Sequence, residues 1–134
     1  AALVDAGMVT ERIVFWAAYA GRAPADPRVQ KAYFTALYEN EEYGKAVDVC
    51  TNLLAAGAIS KAQVLLWRGM TYQKLHELDK AKADLETVVQ IGDRLVAELE
   101  ARKATAYNEA EFTLLGAYQH AKMLLESNDS IPME

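Results

Sequence analysis

Apolar residues along this chain recur at steps of three and four. Val29, Ala32, Tyr33, Ala36 and Leu37 form one such set, and Tyr43, Ala46, Val47, Cys50, Leu53 and Leu54 a second. Leu65, Gly69 and Tyr72 form a third, and Leu78, Ala81, Leu85, Val88 and Val89 a fourth. Each set lays one apolar stripe along a helix, because positions three and four apart share a helical face. No stretch alternates apolar and polar residues over the length of a strand, and no Asn-Gly or Asp-Gly pair marks a hairpin.

The pattern predicts helices at about 10–20, 27–38, 42–55, 60–75 and 79–91, followed by 94–126. The last stretch reads as one long helix or as two; Tyr107-Asn108-Glu109 is a turn signal, and we favour a break there. Asp26-Pro27 reads as an N-cap followed by proline at the first helical position. Ser60-Lys61-Ala62-Gln63 has the pattern of a capping box, and Thr10 and Asp79 are further N-cap candidates. Gly21, Gly57 and Gly92 follow apolar runs and suit left-handed C-caps. Residues 128–134 are expected to form a flexible polar tail.

Helices joined by loops this short pair as antiparallel hairpins. Two consecutive hairpins share internal positions: Ala46 is followed four residues later by Cys50, and Ala81 by Leu85. Ala46 and Ala81 lie 35 residues apart (81 − 46), close to a period of about 34. With Gly69 and Tyr72 as a small–x–x–Tyr element, and Ala81 and Leu85 closing the unit, the chain resembles the tetratricopeptide-repeat family, best over residues 27–93. The resemblance implies an all-α fold, a right-handed superhelix of about six or seven helices (an α-solenoid) in one domain over residues 1–127. Its parts would be a partial repeat at 1–24 turning at Gly7 and closing at Pro24, repeats at 27–59 and 60–93, and atypical C-terminal helices at 94–127. Gly69 and Ala81 would sit where the paired helices come closest. A start inside a repeat points to a piece of a longer protein.

Composition narrows the function. The chain has 134 residues, 52% of them hydrophobic and 25% charged, with net charge −5. That supports a folded domain and argues against a nucleic-acid or anionic-membrane partner. No apolar run reaches the roughly 20 residues of a membrane span, and no signal peptide is visible. The lone Cys50 permits neither an intrachain disulfide nor a cysteine-based zinc site. This fits a cytoplasmic location, or a periplasmic one if an upstream signal has been removed. His76 and His120 lack metal-binding context, no phosphate loop or nucleophile elbow occurs, and Cys50 falls on an inward helix face. We expect no enzyme, no cofactor and no metal.

In the family, the first helices of successive repeats line a concave surface. Carried over by register, the implied partner-binding positions are Arg28, Lys31, Thr35 and Tyr38 in one repeat, with Glu39 at its end. In the next they are Gln63, Leu66, Met70, Gln73 and Lys74. The expected role is a scaffold holding a partner peptide or helix, acidic in character because Arg28, Lys31 and Lys74 are basic. Lys31 matches the lysine that some members use to grip acidic tails of chaperones, but Thr35 stands where their asparagine belongs. Self-association of truncated repeat ends is the alternative. Trp67 either packs under the C-terminal helices or borders the groove; packing is the favoured role.

Overall fold

A computed structural model describes residues 2–130, with side chains described for residues 10–128. These residues form six helices and no strand: α1 (Ala2–Arg22), α2 (Pro27–Glu39), α3 (Tyr43–Ala56), α4 (Lys61–Lys74), α5 (Leu78–Ala101) and α6 (Glu109–Ser130). None of them is long and apolar enough to cross a membrane. The chain divides into two compact units, one ending at Ile59 and the other beginning at Ser60.

In the first unit α1 packs on α2, and α2 packs on α3. Val29, Phe34 and Leu37 of α2 and Ala46, Cys50 and Leu53 of α3 are buried. Asp26 caps α2 as expected, its carboxylate accepting from the Arg28 amide at 3.0 Å, with Pro27 opening the helix. α1 is longer than the pattern suggested. Gly7 and Thr10, expected at a turn and at a cap, lie inside it, and so does Gly21. The stop comes from Pro24, which disfavours helical backbone at Ala23.

In the second unit α4, α5 and α6 all pack against one another. Leu65, Leu85 and Val88 are buried, and so is Trp67, which is only 4% exposed. A Cβ on Gly69 would come within 2.8 Å of Leu85, so a small residue is needed for α4 to approach α5 this closely. Arg68 grips Asp84 with two parallel bonds, Nε to Oδ2 at 2.7 Å and Nη2 to Oδ1 at 2.8 Å. This is the fork geometry that makes arginine the strong partner of a carboxylate.

The α2–α3 and α4–α5 turns repeat each other at a spacing of 35 residues, and the end of α5 closes in the same way at Lys103 (φ 51°), with the Ala104 amide bonding back to Leu99 O at 3.0 Å. Glu41 (φ 59°) and His76 (φ 57°) are both left-handed. The amide of the next residue bonds back five residues, Glu42 to Leu37 and Glu77 to Tyr72, each at 2.9 Å. This is the Schellman closure of a helix C-terminus, made here without glycine. Lys45 then pairs with Glu42 and Lys80 with Glu77. By the same spacing Phe34 corresponds to Gly69 and Cys50 to Leu85, and all four are buried. The bulk has therefore moved from the first helix of one hairpin to the second helix of the next.

Several expected helix ends are corrected. Gly57 is a left-handed cap (φ 70°), but Gly92 lies within α5. A Cβ there would stand 2.2 Å from the Tyr118 ring of α6, so Gly92 serves close packing rather than termination. The chain breaks instead at 102–108, and Asn108 caps α6. Asn108 Oδ1 accepts from the Glu111 amide at 2.8 Å, and Glu111 Oε1 accepts from the Asn108 amide at 3.0 Å, a reciprocal capping box. Ser60 holds the N-cap position of α4 without a side-chain cap bond, and α5 begins after Glu77 rather than Asp79. The tail starts later than expected, since α6 continues to Ser130 and Asn128 is buried, donating to Leu78 O at 3.3 Å. The expected tail at 131–134 lies outside the described residues.

Candidate partner-binding groove

The first unit carries a groove between α1 and α2, and its two ends are fixed by different interactions. At one end buried Gln30 of α2 donates its amide to Ala20 O at 3.0 Å and to Ala23 O at 3.2 Å. These are carbonyls at the C-terminus of α1, which has no helical partner of its own to offer them. At the other end Arg12 approaches Glu39 at 3.9 Å. That pair is solvent-exposed and contributes little, on the order of 0–1 kcal/mol.

Between these ends lies a cavity of about 460 Å³. Arg12 and Trp16 line it from α1, and Arg28, Lys31, Ala32, Thr35, Ala36 and Glu39 from α2. The α2 residues share a side because the Asp26-Pro27 start sets the helix phase, and steps of three and four then keep positions 28, 31, 32, 35 and 39 together. Ala32 and Ala36 are small, so the space beside the Trp16 indole stays open.

The lining holds three cations, Arg12, Arg28 and Lys31, against one carboxylate, Glu39. Glu39 is engaged with Arg12. Among the described residues no carboxylate lies within ion-pair reach of the Arg28 guanidinium or the Lys31 ammonium. The cations of the groove thus gather in the first turns of α2, offset in part by the Asp26 carboxylate that caps the helix. In a chain of net charge −5, this is a local inversion of sign.

Trp16 also joins the groove to an apolar surface. Its ring lies 5.1 Å from Phe15 and 6.0 Å from Tyr19, and Phe15 stacks on Tyr19 at 6.0 Å. Phe15 is 57% exposed, Tyr19 47% and neighbouring Val14 64%. Contiguous exposed aromatic surface beside a cavity is characteristic of interaction sites.

Of the positions expected to bind a partner, Arg28, Lys31 and Thr35 come together here, with Glu39. Tyr38 does not line the groove. Its ring packs against Phe34 and Tyr43, each at 5.5 Å, and burial, then Tyr43, pushes its phenol pKa up. In the second unit Leu66 is buried, and the Gln73 amide is engaged by α6, donating to Leu124 O at 2.9 Å and to Asn128 Oδ1 at 3.3 Å. α6 therefore occupies part of the α4 face expected to be free. Gln63 and Met70 are half-buried, and Lys74 is exposed at the end of α4.

Sequence reasoning missed Arg12, Trp16 and Ala32. The spacing gave no warning: Phe15, Trp16 and Tyr19 span an arc of about 100°, the ordinary width of one buried stripe. His76 and His120 are both exposed, and Cys50 is fully buried. Among the described residues no three His, Cys, Asp or Glu side chains converge on a possible metal position. Comparison with protein-family models, with curated proteins and with solved structures found no match.

Proposed function

We propose that this chain is a protein-binding module that holds a segment of a partner protein in the groove between α1 and α2 and performs no chemistry of its own. The observation that carries this reading is the groove: an open cavity floored by small residues, edged by two cations with no ion-pair partner among the described residues and continued by exposed aromatic rings. A small-molecule site would converge polar groups inside an enclosed cavity. Here the apolar surface extends past the cavity wall along α1, as a macromolecular contact requires.

The reading includes a tetratricopeptide-like solenoid of helix hairpins. Its support is the 35-residue correspondence of the two turns, down to the left-handed residue, the Glu–Lys pair and the alanine that follows. Affinity purification from the native proteome tests the function. Thr35→Trp, which fills the groove, should abolish capture of the partner, and Lys31→Glu should weaken it. Lys74→Glu, in the other unit, should leave capture unchanged. Equal capture by wild type and Thr35→Trp would refute the groove.

The exposed Val14, Phe15 and Tyr19 favour a second reading, in which two copies of the chain associate through α1. Sedimentation distinguishes them: a monomer at all concentrations removes the second.

A further inference from the structure

We infer that two copies of this chain pair through the outward face of α1, antiparallel about a two-fold axis, with Glu11 of each copy set against Arg22 of the other. This rests on the second reading above, association through α1, and goes further by fixing the orientation and register of the pair.

The face is defined by helical spacing. Glu11, Val14, Phe15, Ala18, Tyr19 and Arg22 follow one another at steps of three, one and four, so they share one side of α1. All six are exposed, and they lie opposite Ala20, which is buried. The cavity beside α2 takes Arg12 and Trp16 from α1 and none of these six.

The six residues are also arranged symmetrically. Glu11 and Arg22, Val14 and Tyr19, and Phe15 and Ala18 each lie equally far on either side of the midpoint between Trp16 and Ala17. A two-fold axis at that midpoint sets each residue against its counterpart in the second copy, and every contact is then made twice. Bulky Phe15 meets small Ala18, and Val14 meets the Tyr19 ring. Glu11 and Arg22 close the two ends with opposite charges, and neither has an ion-pair partner among the described residues. A parallel pair would set Glu11 on Glu11 and Arg22 on Arg22, like charge on like. A face that complements itself in both charge and size selects a second copy over a foreign partner. Eleven residues of helix separate Glu11 from Arg22 (22 − 11), about 16 Å at 1.5 Å per residue. Six residues fall well short of the roughly 20–30 a side of a standard interface, so the pair is a weak dimer that forms at high protein concentration.

Sedimentation equilibrium of the full chain from about 10 μM to 1 mM tests the pairing. The samples are wild type, Glu11→Arg, Arg22→Glu, the exchange Glu11→Arg/Arg22→Glu, and Phe15→Ser, with circular dichroism to check that each is folded. Wild type should dimerise. Each single reversal puts like charges at both ends and should weaken the dimer by about 10-fold or more, most strongly at low salt. The exchange restores opposite charges and should recover the wild-type constant, and an equal mixture of the two single variants should form a mixed dimer. Phe15→Ser should abolish association. Single reversals without effect, or an exchange that fails to recover the dimer they lose, would overturn the register and leave association through α1 standing. A wild type that stays monomeric throughout, or a dimer untouched by Phe15→Ser, would overturn both.

Discussion

Gly92 and Gly57 look alike in sequence, since each closes an apolar run, yet they do opposite things. Gly57 ends α3 in the left-handed conformation. Gly92 continues α5 and leaves room for Tyr118, a residue 26 positions later (118 − 92). Local pattern cannot distinguish them, because the distinguishing atom arrives from another helix. The Tyr118 ring cannot easily move aside: its hydroxyl donates to Asp93 Oδ1 at 2.6 Å, and Lys122 lies over its face at 4.2 Å. We therefore predict that Gly92→Ala destabilises the protein by about 1–3 kcal/mol through overpacking, despite the better helix propensity of alanine. Gly21→Ala, where a Cβ meets nothing within 4 Å, should stabilise by up to about 1 kcal/mol. Thermal denaturation of the two variants decides the matter; stabilisation by Gly92→Ala would mean that α6 does not seat on α5 as described.

At the scale of elements, ends set by nearby side chains were readable and ends set by packing were not. Asp26-Pro27 and the turn signal at Asn108 act within a few residues, and both mark true boundaries. The continuation of α5 past Gly92 depends on α6, whose Tyr118 packs there. The α6 cap gives a pH prediction. The Asn108 amide, and then Arg102, hold the Glu111 carboxyl below its ordinary value. The folded pKa is thus below the unfolded one, so the ionised cap stabilises α6 above the ordinary carboxylate range. That contribution is lost as pH falls through the depressed folded value. Hydrogen exchange at the Glu111 and Phe112 amides, corrected for intrinsic rates, should show the first turn of α6 opening in acid. Glu111→Gln should weaken protection at neutral pH and flatten its acid dependence. Unchanged protection in that variant would remove Glu111 from the cap.

For the whole molecule, half of the groove was legible and half was not. Arg28, Lys31 and Thr35 share one face of α2, and helical spacing alone groups them. Arg12 and Trp16 join them only because Gln30 clamps α2 to the end of α1, a contact that no spacing rule contains. In the second unit, α6 engages a residue that register had assigned to a partner, which left the first unit with the open site. The most direct test of the binding role is a backbone amide NMR titration of the intact chain with the partner recovered by affinity purification. Saturable shifts should cluster on Arg12, Trp16, Arg28, Lys31 and Thr35, and disappear in Thr35→Trp. Shifts confined to residues beyond Ser60, or persisting unchanged in Thr35→Trp, would contradict a partner site between α1 and α2.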